Sequence, residues 1–188
     1  MTKKSLLRDV VAVGIMAALV FVASQISIPV PAVIGISRLH LGNIFCLLGG
    51  FLLGGVRGGL AAGLGSMLFD FTNPLYISSA PITFVNKFLM AFVCGIIASR
   101  NKDGKPVINF AAAIAGALTY VALYLGKNFV TDVFFLRTEV QTALIDIGIK
   151  AGTSLINATI AVILSVPLAL ALRGALKRTG LVRVIGGK

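Results

Sequence analysis

The sequence predicts an all-α membrane protein, a bundle of six transmembrane helices with both termini cytoplasmic. Three observations carry that expectation. Mean hydropathy is +1.00, with 57% hydrophobic and 12% charged residues, far outside the usage of soluble domains. Six apolar runs recur along the 188 residues, each close to the ~20 helical residues that cross a hydrocarbon core of about 30 Å. The Lys and Arg residues gather where a six-helix chain with both ends inside leaves its cytoplasmic segments.

Each element follows from local sequence. The first helix, 10–28, is preceded by Lys3, Lys4 and Arg8. Basic residues before an apolar run can also open a secretory leader, but no A-x-A-like cleavage site follows, so the run is expected to stay as a helix. It carries Gly14 and Ala18 at four-residue spacing, flanked by Ala12 and Ala17, a small-residue face suited to close helix contact within the bundle or with another subunit. The outer segment "SQISIPVPAVIGISRLHLG" cannot be regular helix because of Pro29 and Pro31. Val33, Ile34 and Ile36 are apolar where a water-exposed loop is polar, which suits either a lid over the bundle or a loop resting among headgroups.

The second and third helices, 40–56 and 58–73, share "LLGGFLLGGVRGGLAAGLGS". Lipid tails are as apolar as leucine, so helices in a bilayer associate by close packing, and small residues four apart let backbones approach. Gly50, Gly54 and Gly58 form one such register and Gly55, Gly59 and Gly63 another, predicting a tight antiparallel pair with a sharp inner turn at "GVRGG" around Arg57. The fourth helix, 82–98, runs into "SRNKDGKP" with Arg100, Lys102 and Lys105; the fifth, 108–128, opens with "AAAIAGA". The sixth, 143–172, has amphipathic extensions and leads to a basic tail, 173–188, with Arg173, Lys177, Arg178, Arg183 and Lys188. A net charge of +11 is thereby explained by topology and attraction to anionic lipid, without nucleic acid.

Ionisable groups within a membrane are costly and mark function. The sixth helix carries Asp146, Lys150, Thr153 and Asn157 at offsets of four, seven and eleven, one helical face. The fifth ends with Tyr120, Tyr124, Lys127 and Asn128; the third with Ser66, Asp70 and Asn73. The fourth begins with Thr83, Asn86 and Lys87, and the second with His40 and Asn43. All fall in the outer half, and the inner half is apolar. A pocket open to the exterior with a dry floor is expected, not a continuous pore. Lys87, Lys127 and Lys150 face at most two nearby acids, Asp70 and Asp146, so the site suits a carboxylate, phosphate or carbonyl-rich ligand. The absence of Trp argues against a quaternary ammonium ligand.

No cofactor or metal is expected. Cys46 and Cys94 are isolated in apolar helices, H-x-x-x-H spacing and paired carboxylates are absent, and no G-x-x-x-x-G-K-[ST] loop is present. The chain is not expected to be an enzyme or to hydrolyse ATP.

The block "RLHLGNIFCLLGGFLLGGVRGGLAAGLGSMLFDF", with the basic start, the small residues of the first helix, the apolar first outer loop and the Lys and Asn of the sixth helix, resembles the S components of energy-coupling factor (ECF) vitamin transporters. The resemblance spans nearly the whole chain, and the riboflavin-type group is nearest. It implies a high-affinity binding subunit in the prokaryotic cell membrane, part of an ABC importer. Such a subunit takes a water-soluble vitamin from outside under its first loop and presents it to a transmembrane scaffold, the T component, with two ATPase subunits. The family's A-x-x-x-A docking motif on the first helix is matched here by Gly14 and Ala18, so docking is expected through Gly14, Ala17 and Ala18. A reading of another class, a stand-alone ion-coupled transporter or channel with Asp70 as its protonatable group, lacks the inverted repeat such proteins often show.

Overall fold

The computed structural model describes residues 3–101 and 105–178. Lys102 of the predicted inner loop, and Arg183 and Lys188 of the predicted tail, lie outside the described residues. In chain order the elements are α1 (Lys3–Gln25), β1 (Ser27–Pro31), β2 (Ile36–His40), α2 (Gly42–Leu53), α3 (Gly55–Thr72), a 3-10 turn (Ile77–Ser79), α4 (Ala80–Ser99), α5 (Pro106–Val130), a π turn (Thr131–Phe135) and α6 (Val140–Arg178). The chain is an all-α membrane protein: the segments Leu6–Gln25, Ile77–Ser99, Pro106–Phe135 and Val140–Leu176 are long and apolar enough to cross a bilayer. The second predicted run is the one that departs most from that picture. Its 12-residue helix spans about 18 Å at 1.5 Å per residue, because His40 belongs to a strand and Gly54 ends the helix.

Side chains are sorted by size rather than by polarity alone. Large apolar residues such as Val11, Ile15, Val22, Ile114, Leu118 and Ile163 stand exposed around the outside, while Ala61, Ala62, Ala91, Ala112, Ala113 and Ala161 are fully buried. Hydrocarbon solvates the first group, and the second lets backbones close in.

The break between α2 and α3 is a single residue, Gly54, at φ 81°. This left-handed conformation is one that glycine adopts without steric cost. The sharp turn is therefore at Gly54 and not around Arg57, which lies in the first turn of α3 and pairs with Asp9 of α1 at 2.5 Å. The glycine registers also serve different partners from those expected. A Cβ at Gly58 would meet Gly49 across the α2–α3 pair, but one at Gly59 or Gly63 would strike Phe88 or Phe84 of α4. Phe84, Phe88 and Phe92 stack in succession along α4 with centroids 6.1 and 5.6 Å apart, and the Gly55, Gly59, Gly63 face of α3 lies against them. On the other side, a Cβ at Gly50 would collide with Ala91 of α4, so α4 rests on both helices.

The segment between α1 and α2 is an antiparallel hairpin, Ser27 opposite His40 and Pro31 opposite Ile36. Pro29 and Pro31 are two apart and so share one side of β1, and a two-stranded ribbon has a free edge where their missing N–H groups cost nothing. Gly35 makes the turn at φ 76°. The hairpin, the 3-10 turn and the junction of α5 and α6 lie at one end of the bundle. At the opposite end the Arg57–Asp9 pair and an Arg173 Nη2 bond to the Phe51 carbonyl (2.6 Å) tie α1 to α3 and α6 to α2.

Candidate functional site

Beneath the hairpin lies a cavity of about 330 Å³. Its wall is assembled from Ser37, Arg38 and His40 of β2, Asp70 of α3, Tyr76 and Ser79 around the 3-10 turn, Thr83, Asn86 and Lys87 of α4, Tyr120, Tyr124, Lys127 and Asn128 of α5, and Lys150, Ser154 and Asn157 of α6. Helical spacing explains why these meet. Residues at i, i+4 and i+7 share a face, and in a bundle whose outside is solvated by lipid the polar face turns inward.

Five of the residues singled out from sequence, Asn43, Ser66, Asn73, Asp146 and Thr153, lie off the wall. Thr153 returns its hydroxyl to the Ile149 carbonyl (3.1 Å). Asn73 ends α3, and its Oδ1 accepts from the Leu75 N–H (3.1 Å). Asn43 stands behind the wall, its Oδ1 accepting from the Lys87 ammonium.

Several residues on the wall and just behind it are committed to holding the hairpin. Asn157 uses both ends of its amide there, with Oδ1 accepting from the His40 N–H (3.0 Å) and Nδ2 donating to the Arg38 carbonyl (2.8 Å). Asp146, fully buried, accepts from the Ile34 N–H at 2.7 Å and so fastens the hairpin tip to α6. His40 Nδ1 accepts from the Gly42 N–H (3.2 Å), supplying a cap to α2. Burial, and then the charges of Lys87 and Arg38, push the His40 pKa well below its ordinary value, so the ring is neutral and free to accept.

The lysines differ in their surroundings. Lys150 is matched by opposite charge: it pairs with Asp146 (2.6 Å) and Asp132 (3.7 Å), and it donates to Asn128 Oδ1 (3.1 Å). Lys87 sits 3.5 Å from the centroid of the Tyr120 ring, which stacks on Tyr124. Lys127 donates to Ser79 Oγ (3.2 Å).

Sequence reasoning missed Arg38, Tyr76, Ser79 and the third acid, Asp132. Arg38 lies over Phe69 (3.9 Å) and Tyr76 (4.7 Å) and pairs with Asp70 at 3.3 Å. No local pattern reveals that sandwich, since its members come from three elements. Asp132 was legible: Tyr120, Tyr124, Asn128 and Asp132 are spaced by four, and the face continues past residue 128 because the π turn prolongs α5.

On the α1 surface, Gly14 and Ala18 are exposed with open space around Gly14. Ala17 instead turns inward, 6% exposed, next to Gly65 of α3. It is packed within the chain and leaves no side chain for a partner.

Fold and cavity together define an integral membrane protein that encloses a polar chamber between helices at one end of the bundle. The chain belongs to the family of ECF-type riboflavin transporter S components, whose family model matches residues 4–174. No curated protein matches the chain. The family is that of a vitamin-uptake transporter's substrate-binding component, not of an enzyme.

Proposed function

We propose that this chain is the high-affinity binding subunit of an ECF-type importer in a prokaryotic plasma membrane. It takes up a water-soluble vitamin, riboflavin-like or another neutral or anionic one, from the exterior and delivers it to a T component with two ATPase subunits. All six helices cross the membrane in this reading, α2 and α3 as a short pair, with both termini cytoplasmic and the hairpin outside. The placement of basic residues supports that orientation: Arg8, Arg57, Arg100 and Arg173 all belong to the end opposite the hairpin.

One observation carries the reading, the polar cavity under the hairpin in a chain whose family supplies substrate-binding components. Its size suits a vitamin, since small-molecule sites run to about 300–1,000 Å³. The chain purified in detergent is expected to bind a water-soluble vitamin below micromolar concentration. Failure of every such vitamin to bind the folded protein overturns the proposal. Uptake into liposomes by this chain alone, driven by a pH gradient, would replace it with an ion-coupled transporter.

A further inference from the structure

Resting on the vitamin-binding reading, we infer that the substrate carries an anionic group, carboxylate or phosphate, seated against Lys87 and Lys127. The argument is an account of charge around the cavity. Four cations line it, Arg38, Lys87, Lys127 and Lys150, against one lining carboxylate, Asp70. Asp132 and Asp146 stand beside Lys150 and offset its charge, and Asn128 Oδ1 accepts from it. Asp70 is taken by Arg38. One positive charge is left over, and it is not diffuse.

Among the described residues neither Lys87 nor Lys127 forms an ion pair. Lys87 is 2% exposed, with an amide oxygen and a tyrosine face as its partners, and neither neutralises it. Lys127 has a hydroxyl. The unmet polar atoms around this part of the cavity are donors as well: Arg38 Nη1 and, behind Lys87, Asn43 Nδ2 are buried without hydrogen-bond partners. The unmet carboxylate oxygens, those of Asp132 and Asp146, belong to the Lys150 cluster.

A ligand that fills the cavity expels its water. A neutral ligand, even one rich in carbonyl acceptors, can hydrogen-bond the Lys87 and Lys127 ammonium groups but leaves their charge uncompensated in a low-dielectric surround, whereas an anionic group also neutralises it through charge-assisted hydrogen bonds. Lysine offers three rotatable donors around a point charge, which fits a carboxylate or phosphate of unspecified orientation better than a planar bidentate clamp. A cationic ligand meets that surplus positive charge and is disfavoured.

The test is equilibrium binding of matched pairs that differ by one anionic group: riboflavin and its 5′-phosphate, pantothenol and pantothenate, biotinamide and biotin. The protein is the full chain in detergent, in wild type, Lys87→Gln and Lys127→Gln. In the pair that binds, the anionic member is expected to be at least about tenfold tighter, a difference of ~1.4 kcal/mol. Each glutamine variant should remove most of that advantage by weakening the anionic member far more than the neutral one, because glutamine keeps an N–H donor on a side chain one bond shorter but carries no charge. Lys127 is half-buried at the rim, so its variant tests the idea even if Lys87→Gln does not fold. A neutral member that binds as tightly as its anionic twin, or an anion preference that survives both variants, overturns this inference and leaves the vitamin-binding reading intact. No binding by any member to wild type, with helicity intact by circular dichroism, overturns both.

Discussion

Asn157 and Lys150 lie two turns apart on one face of α6, and the structure gives them opposite kinds of work. Asn157 holds the backbone of β2 through two hydrogen bonds, each worth about 0.5–1.5 kcal/mol net. Asn157→Leu should therefore release the base of the hairpin and weaken ligand binding about ten- to a hundredfold, chiefly through faster dissociation in stopped-flow or filter assays. An unchanged off-rate would mean the hairpin does not retain the ligand. Lys150 sits among carboxylates, and removing one partner of a buried ionic cluster typically costs about 3–5 kcal/mol because charge is left uncompensated. Lys150→Met is expected to lower the thermal midpoint in detergent markedly, and adding Asp146→Asn should recover part of the loss. If the double variant is no more stable than the single one, Asp146 is not the group left stranded. The stripe itself was readable from the spacing of Asp146, Lys150 and Asn157. Its duties were not, because the partners of Asn157 lie 117 and 119 residues away and only folding brings them near.

Among elements, α3 shows how far a glycine pattern can be read. The four-residue registers announced close packing, but a register names a face and not the helix that meets it. The Gly55, Gly59, Gly63 face went to the phenylalanines of α4, and Gly58 alone faces Gly49 of α2. The hairpin was legible only as a non-helical apolar segment, since Pro29 and Pro31 exclude helix without specifying a strand pair. Substitution separates the glycine roles. A Cβ at Gly58 would lie 2.5 Å from the Gly49 carbonyl oxygen, a backbone atom that cannot step aside, whereas nothing stands within 4 Å of one at Gly14. Gly58→Ala should cost about 1–3 kcal/mol through overpacking, and Gly14→Ala should be neutral or slightly stabilising through helix propensity. Thermal unfolding of both variants in one detergent checks this, and equal midpoints would mean the α2–α3 contact relaxes freely.

At the scale of the whole molecule, α1 has two different faces. Met16, Ala17, Val20 and Ala23 are buried against the bundle, while Val11, Gly14, Ile15, Ala18 and Val22 look outward. On the proposed function the outward face meets either lipid or the T component, and its small residues provide the notch that a partner helix needs for close approach. No residue of α1 lines the cavity, and Ala18 looks away from the bundle, so a bulky group in the notch does not touch the ligand. Ala18→Trp should bind ligand within about threefold of wild type, the scatter expected for a site with no shared contact. Coexpressed with the T component and both ATPases, the same variant should support no uptake. Ala17→Trp serves as the opposing control, because a large ring at that buried position has to displace α3 and should impair binding and uptake together. If Ala18→Trp abolishes binding, that face packs inside the bundle and the docking assignment falls. If instead uptake continues at the wild-type rate, the scaffold docks on another surface, and the exposed small residues of α1 serve only the lipid.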